Sequence, residues 1–293
     1  MTYIGGGVTL SDILQSSELN VHDILVNLAK QIQEEEVAVL ASGGIDSWSV
    51  VFALLEVGKK VHIYSFTLDD RESYDFTKAR ELSQIYGLRF TPIILPTDIS
   101  VLKRDVLLLS DKYNCIKKTD FECLWPFLYA YGKIEETVIG SGLCADGYFC
   151  ISKSGVLHFK DKMDEFRKRY FDNNGSQHKH HYFMAEQFNK KLFMPYNTPE
   201  MFSYFVGTTW DQCNKPRQKQ PIFNSYITEF KSNNFKKHSN LQLGDSGISE
   251  HFDKLLKTDW NIYNYMSVTG IFNLVNKGVV GRGKTNGKQT NLF

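Results

Sequence analysis

The sequence predicts an α/β protein in which a parallel, twisted β-sheet carries helices on both faces and a helical C-terminal extension follows. Two observations indicate this fold. In the first half of the chain, short apolar runs alternate with longer amphipathic segments, an alternation typical of βαβ units and a parallel sheet. After about residue 155 the strand signal fades and the apolar spacing becomes helical.

Four segments have the character of strands buried on both faces, because they are short and mostly apolar. They are residues 37–41, 61–67, 89–95 and 136–140. Pro92 lies inside the third segment and has no backbone N–H to donate, which counts against strand pairing in the first half of that segment.

Helices are predicted between these strands and after them from the spacing of apolar residues. In the first half they cover residues 21–35, 47–57, 72–86, 98–110 and 119–131. In the second half they cover residues 161–171, 180–191, 198–206, 222–231 and 248–276.

The pattern divides the chain into four parts. We expect an N-terminal helical lead (1–36), an α/β domain (37–155), a helical extension that completes the active site (156–277) and a flexible basic tail (278–293).

Composition excludes several classes of protein. The 34 Lys and Arg residues nearly balance the 33 Asp and Glu residues, a net charge of +1, which argues against nucleic-acid binding through an overall basic surface. No apolar run reaches the roughly 18–20 residues of a membrane helix. No secretory signal is visible, and the five cysteines form no CxxC pair, which disfavours a disulfide framework and a zinc site. We expect a cytoplasmic protein without a membrane partner.

The turn at residues 42–47, SGGIDS, carries the strongest chemical signal. Its glycines let phosphate oxygens approach backbone N–H groups, and the following helix directs its positive end at the anion. Ser42 and Ser47 add hydroxyl donors. Asp46 by itself repels phosphate, so its expected role is to hold Mg²⁺. The alternative is a plain strand-to-helix turn in which Asp or Ser is the N-cap.

A second glycine-bearing turn, at residues 140–147, follows the fourth predicted strand. Because ligands bind outside the carboxyl ends of parallel strands, we expect both turns at the same edge of the sheet. Two carboxylates from facing loops can clamp metal-bound phosphates.

The two turns resemble those of the N-type ATP pyrophosphatases (PP-loop enzymes), and most of all the synthetase domain of asparagine synthetases and β-lactam synthetases. SGGIDS resembles their pyrophosphate loop. The second turn resembles their Ser-Gly-Glu-Gly-Ser-Asp-Glu-type motif, matched here by Ser141, Gly142 and Asp146. The resemblance covers most of residues 35–275 and implies a fold of the adenine nucleotide α-hydrolase (HUP) type.

The resemblance also implies ATP and Mg²⁺ as cofactors and assigns roles to the matched residues. Asp46 and Asp146 would share the Mg²⁺. The pyrophosphate would be bound by Ser42, Gly43, Gly44 and Ser47. Adenine and ribose would be contacted by Leu40, Phe66, Thr67, Ser141 and Gly142.

Family members also use a C-terminal lysine to stabilise charge on the transferring phosphoryl group. Lys215 or Lys219 is one candidate pair, and Lys236 or Lys237 is the other. The residues do not decide within either pair, and we take Lys215, Lys219 and Lys237 as the catalytic candidates.

The chain departs from the family pattern in two ways. The Glu of the second motif is replaced by Leu143, which carries out no proton chemistry. No glutaminase domain is recognisable, because only about 35 residues precede the first predicted strand and no Cys follows Met1. The expected nucleophile is therefore free ammonia, another amine or a group delivered by a partner.

The expected activity is that of an ATP-dependent ligase or amidotransferase, which adenylates a carboxylate and couples it to ammonia or another amine. Its partners would be small-molecule carboxylates and amines, with a separate amine donor or carrier protein left open. The first alternative is an ATP pyrophosphatase that adenylates a nucleic-acid base, a partner that the charge balance does not favour. The second is a nucleotide-binding module without catalysis.

Overall fold

A computed structural model describes residues 19–69, 72–113, 115, 118–143, 175–201 and 247–258. Five strands in this part of the chain form one sheet in the order β3-β2-β1-β4-β5, and every pairing is parallel. The strands are β1 (Glu36–Leu40), β2 (Lys60–Leu68), β3 (Arg89–Leu95), β4 (Val138–Ser141) and β5 (Lys191–Phe193).

Helices pack on both faces of the sheet, which confirms the predicted fold class. On one face lie α1 (Val21–Ala29), α2 (Ile45–Glu56) and α3 (Tyr74–Ile85). On the other lie α4 (Ile99–Tyr113), α5 (Lys118–Lys133), α6 (Gly175–Gln187) and α7 (Ile248–Thr258). A short 3-10 turn occupies Pro195–Asn197. None of the helices in the described ranges is both long and apolar enough to cross a membrane.

Strand β1 supplies side chains to two separate apolar cores. Val37 and Val39 belong to the core shared with α1 and α2, whereas Ala38 and Leu40 belong to the core shared with α4 to α7. Successive side chains of a strand point to opposite faces, so a short, wholly apolar run is what a central strand of this sheet requires.

The chain order of the strands reverses beside β1, because β1 pairs with β2 on one side and with β4 on the other. In parallel sheets the crevice at such a switch point is where ligands bind. The turns that leave β1 and β4 are the two glycine-bearing turns singled out in the sequence.

Several predicted boundaries differ from the structure. Helix α1 ends at Ala29 rather than at residue 35, and the residues that follow it are mostly polar. Helix α2 begins at Ile45 rather than at residue 47, which brings Asp46 and Ser47 into its first turn. The other first-half elements agree with the prediction to within three residues. The whole predicted length of β3 is strand; it lies at the edge of the described sheet, where a proline can be accommodated.

The second half is not helical throughout, and the prediction of a helix over 180–191 was wrong at its end. Helix α6 stops at Gln187, Asn189 has a φ of 54°, and Lys191–Phe193 form the fifth strand. Three residues are too few to show a strand period. Helix α7 begins at Ile248 as predicted and is described to Thr258. The helices predicted at 161–171 and 222–231 lie outside the described residues, and the division into domains stays a prediction.

A buried polar cluster lies toward the amino end of the sheet. Glu136 Oε1 contacts His62 Nδ1 at 2.5 Å, and Tyr64 donates its hydroxyl hydrogen to Glu136 Oε2 at 2.9 Å. The side chains of His62 and Glu136 are only 6% and 7% exposed. Burial raises the pKa of Glu136, but hydrogen bonds from its own backbone, His62 and Tyr64 outweigh burial, so that its pKa lies below the ordinary 4.5.

We expect Glu136→Gln to lower the free energy of unfolding at pH 7 by about 1.5–3 kcal/mol, the range for hydrogen bonds to a charged group. Because the folded-state pKa is depressed, this stabilisation is present above the ordinary pKa and is lost as the pH falls through the folded-state value. The difference from wild type, measured by urea denaturation, should therefore shrink on acidification. Exposed Glu135 provides the matched control, Glu135→Gln; equal losses in both variants would contradict the assignment.

Candidate nucleotide-binding site

The SGGIDS turn joins β1 to α2 without a side-chain cap. Gly44 is the N-cap residue, with extended backbone (φ −89°, ψ 152°), and makes no side-chain cap hydrogen bond. The alternative that Asp or Ser caps this helix was therefore wrong. The first turn of α2 begins directly beside the glycines, an arrangement suited to an anion.

The two serines hold the shape of the turn. Ser47 Oγ donates to the carbonyl oxygens of Ser42 and Gly44 at 3.1 and 3.0 Å. Ser42 Oγ accepts from the N–H of Gly44 at 3.1 Å. Trp48 also donates its indole N–H to the Ser42 carbonyl, at 2.9 Å. These bonds fix the main chain of the turn before any ligand arrives.

The β4 turn lies directly against the first turn of α2. An added Cβ on Gly142 would lie 2.6 Å from both the carbonyl carbon of Asp46 and the nitrogen of Ser47. Only glycine fits at this distance. The structure thus brings together the SGGIDS turn and the start of the second motif, as the sequence predicts.

The turn is covered from the other side by helix α3. A Cβ on Gly43 would lie 2.4 Å from Lys78 Cβ and 2.6 Å from Lys78 Cγ. The stem of this lysine therefore occupies the space that a side chain at position 43 would need. Lys78 was not identified from the sequence, where it is one of several charged residues on an amphipathic helix and nothing marks its contact with the turn.

Asp46 lies in the first turn of α2, and its Oδ1 atom is buried. Its main-chain carbonyl accepts from Ser49 Oγ at 2.9 Å, and Ser49 Oγ lies 2.6 Å from the hydroxyl of Tyr196. This bond ties α2 to the segment after β5, a contact that the sequence did not indicate.

The chemistry of Asp46 suits a hard cation such as Mg²⁺, which takes one or two protein carboxylates together with phosphate oxygens. The second expected ligand, Asp146, lies outside the described residues. Within the described ranges, no group of three His, Cys, Asp or Glu side chains is placed to hold a metal. The Asp46 carboxylate beside the glycine turn could therefore be one ligand of a metal bound to phosphate.

The residues expected to contact adenine and ribose lie at the carboxyl ends of β1, β2 and β4. Leu40 and Ser141 are paired in register, and both are buried. Thr67 is also buried, and its hydroxyl donates to the Leu68 carbonyl at 3.2 Å. Phe66 is half-buried and meets the ring of Phe127 edge-on, at 5.4 Å between centroids.

Leu143, at the position of the family's Glu, is half-buried and packs against the core on the α4 to α7 side of the sheet. Its N–H donates to Ser141 Oγ at 3.2 Å. Lys215, Lys219 and Lys237 lie outside the described residues.

In this domain the central strand of a parallel sheet leads through a glycine turn into helix α2, and the β4 turn packs against the start of that helix. This arrangement defines a nucleotide-binding α/β domain. The family model described as asparagine synthase matches residues 27–260 of the 293. The chain belongs to this asparagine synthase family, and the class of activity that follows is that of an ATP-using ligase of the PP-loop type.

Solved structures similar to the chain include two enzyme-related proteins. One is a predicted subunit of tRNA methyltransferase from Methanocaldococcus jannaschii, with 13% identity, a TM-score of 0.34 and coverage of 68% of this chain and 89% of that chain. Another is the NMN synthetase from Francisella tularensis, with 15% identity, a TM-score of 0.34 and coverage of 75% and 96%. No curated protein matches the sequence.

We expect Gly142→Ala to lower the free energy of unfolding by about 1–3 kcal/mol, the usual cost of forcing extra atoms into a packed site. Gly132→Ala is the matched control, because a Cβ there meets only Phe188 Cε1 at an ordinary 3.5 Å. Its stability should equal or slightly exceed that of wild type, since alanine is the better helix former. Urea denaturation measures both, and a Gly142→Ala protein as stable as wild type would contradict the close packing.

Proposed function

We propose that the protein is an ATP-dependent, AMP-forming ligase that adenylates a carboxylate and transfers the acyl group to ammonia or another amine. The observation that carries the proposal is the SGGIDS turn, which leads into an uncapped helix and is closed by Gly142, in a member of the asparagine synthase family. A glycine turn at a helix N-terminus is suited to pyrophosphate because it offers several amides and a positive dipole to one anion.

In this proposal the turn binds the β- and γ-phosphates of ATP. The residues that would contact them are Ser42, Gly43, Gly44 and Ser47. Internal hydrogen bonds shape the main chain of the turn, but they also use the N–H of Gly44 and the hydroxyl hydrogen of Ser47. In this proposal those two donors exchange their internal acceptors for phosphate oxygens. Adenine and ribose would lie across the strand ends, against Leu40, Phe66, Thr67, Ser141 and Gly142.

We further propose that Asp46 and Asp146 hold Mg²⁺. When bound there, the ion would offset the charge that develops on the leaving pyrophosphate. Asp46 lies in the first turn of α2, two residues after Gly44, which supports this proposal.

The proposed reaction has two steps. A carboxylate oxygen of the substrate attacks the α-phosphorus, and the bond from that phosphorus to the bridging oxygen breaks, releasing pyrophosphate. The nitrogen of the amine then attacks the acyl carbon, the bond from that carbon to the AMP oxygen breaks, and the amine loses a proton. Lys215, Lys219 and Lys237 are proposed to stabilise the negative charge in these steps.

The side chain of Leu143 limits the second step. It can neither accept a proton from the amine nor donate a hydrogen bond to it. The amine must therefore enter as the neutral base, and the proton that it loses on attacking the acyl carbon must pass to a group other than the side chain at position 143. A separate amine donor or carrier protein is one way to supply the neutral amine. We propose that residues 156–277 complete this part of the site.

The experiment that tests the proposal incubates the protein with ATP, Mg²⁺ and pools of carboxylates with ammonia or amines, and separates the nucleotide products. Release of AMP and pyrophosphate that depends on a carboxylate supports the proposal. Release of ADP contradicts it. Release of AMP only with an RNA pool would favour adenylation of a nucleic-acid base instead.

We expect Asp46→Asn to reduce pyrophosphate release at least about 100-fold, a loss typical when an electrostatic contact to the reacting group is removed. Asp111→Asn, on the exposed side of α4, is the matched control and should keep wild-type activity. Both rates are measured by a coupled pyrophosphate assay under saturating ATP and Mg²⁺. Undiminished release from Asp46→Asn would show that the carboxylate has no part in the reaction.

A further inference from the structure

We infer that Lys78 is a pyrophosphate-binding residue whose ammonium group leaves Glu81 for the anion held by the SGGIDS turn. The inference rests on the proposed function, because it concerns the same turn. It adds a cation from α3, an element that neither of the two recognised motifs includes.

The position of Lys78 follows from its packing. The contact with Gly43 fixes the Cβ and Cγ atoms of the lysine against the main chain of the turn. The carbonyl oxygen of Asp75 lies 3.6 Å from the same added Cβ, so the first turns of α3 cover position 43. From Cγ, the two remaining methylene groups let the ammonium reach an anion that lies on the turn.

The ammonium group is held weakly in the absence of an anion. Lys78 Nζ lies 3.4 Å from Glu81 Oε2, longer than the roughly 2.7–2.9 Å of a strong charge-assisted hydrogen bond. On the same helix, Arg80 makes two such bonds to Glu72, at 2.7 and 2.8 Å. The side chain of Lys78 is 12% exposed, whereas that of Glu81 is 55% exposed. A single long contact to a solvated carboxylate is easily exchanged.

The chemistry of the turn favours this exchange. Its own donors are neutral amides and hydroxyls, and its one charged side chain, Asp46, is negative. Pyrophosphate carries several negative charges, so a cation beside the glycines would strengthen binding. Lysine is suited to this role because it places a point charge on a flexible stem. Glu81 is then the partner of Lys78 when no anion is bound, and it competes with the anion for the ammonium group.

The test measures the binding of inorganic pyrophosphate and of ATP, each with Mg²⁺, by isothermal titration calorimetry. Lys78→Met keeps the methylene stem on Gly43 and removes the charge. We expect it to weaken pyrophosphate binding about tenfold or more, as for loss of a hydrogen bond to a charged group. Glu81→Gln should tighten binding about twofold, because it removes an exposed competing charge.

Lys60→Met is the matched control. Lys60 also pairs with glutamate, at 2.8 Å from Glu35 and 3.9 Å from Glu36, but it lies at the amino end of β2, away from the turn. The pyrophosphate affinity of the Lys60→Met variant should equal that of wild type. Lys78→Arg, which keeps the charge, should retain most of the affinity lost in Lys78→Met.

The outcomes separate the two proposals. If wild type binds pyrophosphate and Lys78→Met binds it equally well, the role of Lys78 is overturned and the proposed function stands. If wild type binds neither ATP nor pyrophosphate, both proposals fail. If Lys78→Met does not fold, Glu81→Gln decides, and an affinity unchanged from wild type overturns the inference.

Discussion

The contact between Gly142 and the first turn of α2 is the constraint on which the carboxyl edge of the sheet depends. Main chain meets main chain there, with no room for a side chain. The contact is reached because β4 pairs with β1 and ends beside it, with Ser141 opposite Leu40. The start of α2, the SGGIDS turn and the end of β4 therefore form one closely packed unit, and most of the described residues that we propose as ligand contacts lie in it.

The support for this unit comes from both faces of the sheet and from distant parts of the chain. Strand β1 is anchored in two apolar cores at once. The Ser49–Tyr196 contact ties helix α2 to a segment far from it in sequence. Lys78 closes the outer side of the turn. Contacts from α2, from the end of β4 and from α3 therefore restrict the shape of the turn.

The sequence predicted those parts of the protein in which local pattern decides the structure. The apolar runs of β1, β2 and β4 are long enough to be recognised, and the glycine turns carry their own chemistry. Strand β5 was missed because three residues show no period, and it forms only by pairing with β4. The contacts of Lys78 and Tyr196 arise from packing between elements distant in sequence, so no local signal at either residue could reveal them.

The packing of Gly43 and Gly142 has an evolutionary consequence. A descendant of this protein that had lost catalysis would still lose stability if either glycine were replaced, since a Cβ at either position collides with main chain or with a lysine stem. If both glycines are kept across relatives, this therefore indicates that the fold is intact, and not that catalysis is retained. The acidic side chain at position 46 is the better marker of retained chemistry, and inactive lineages should be sought where that carboxylate has been replaced while both glycines survive.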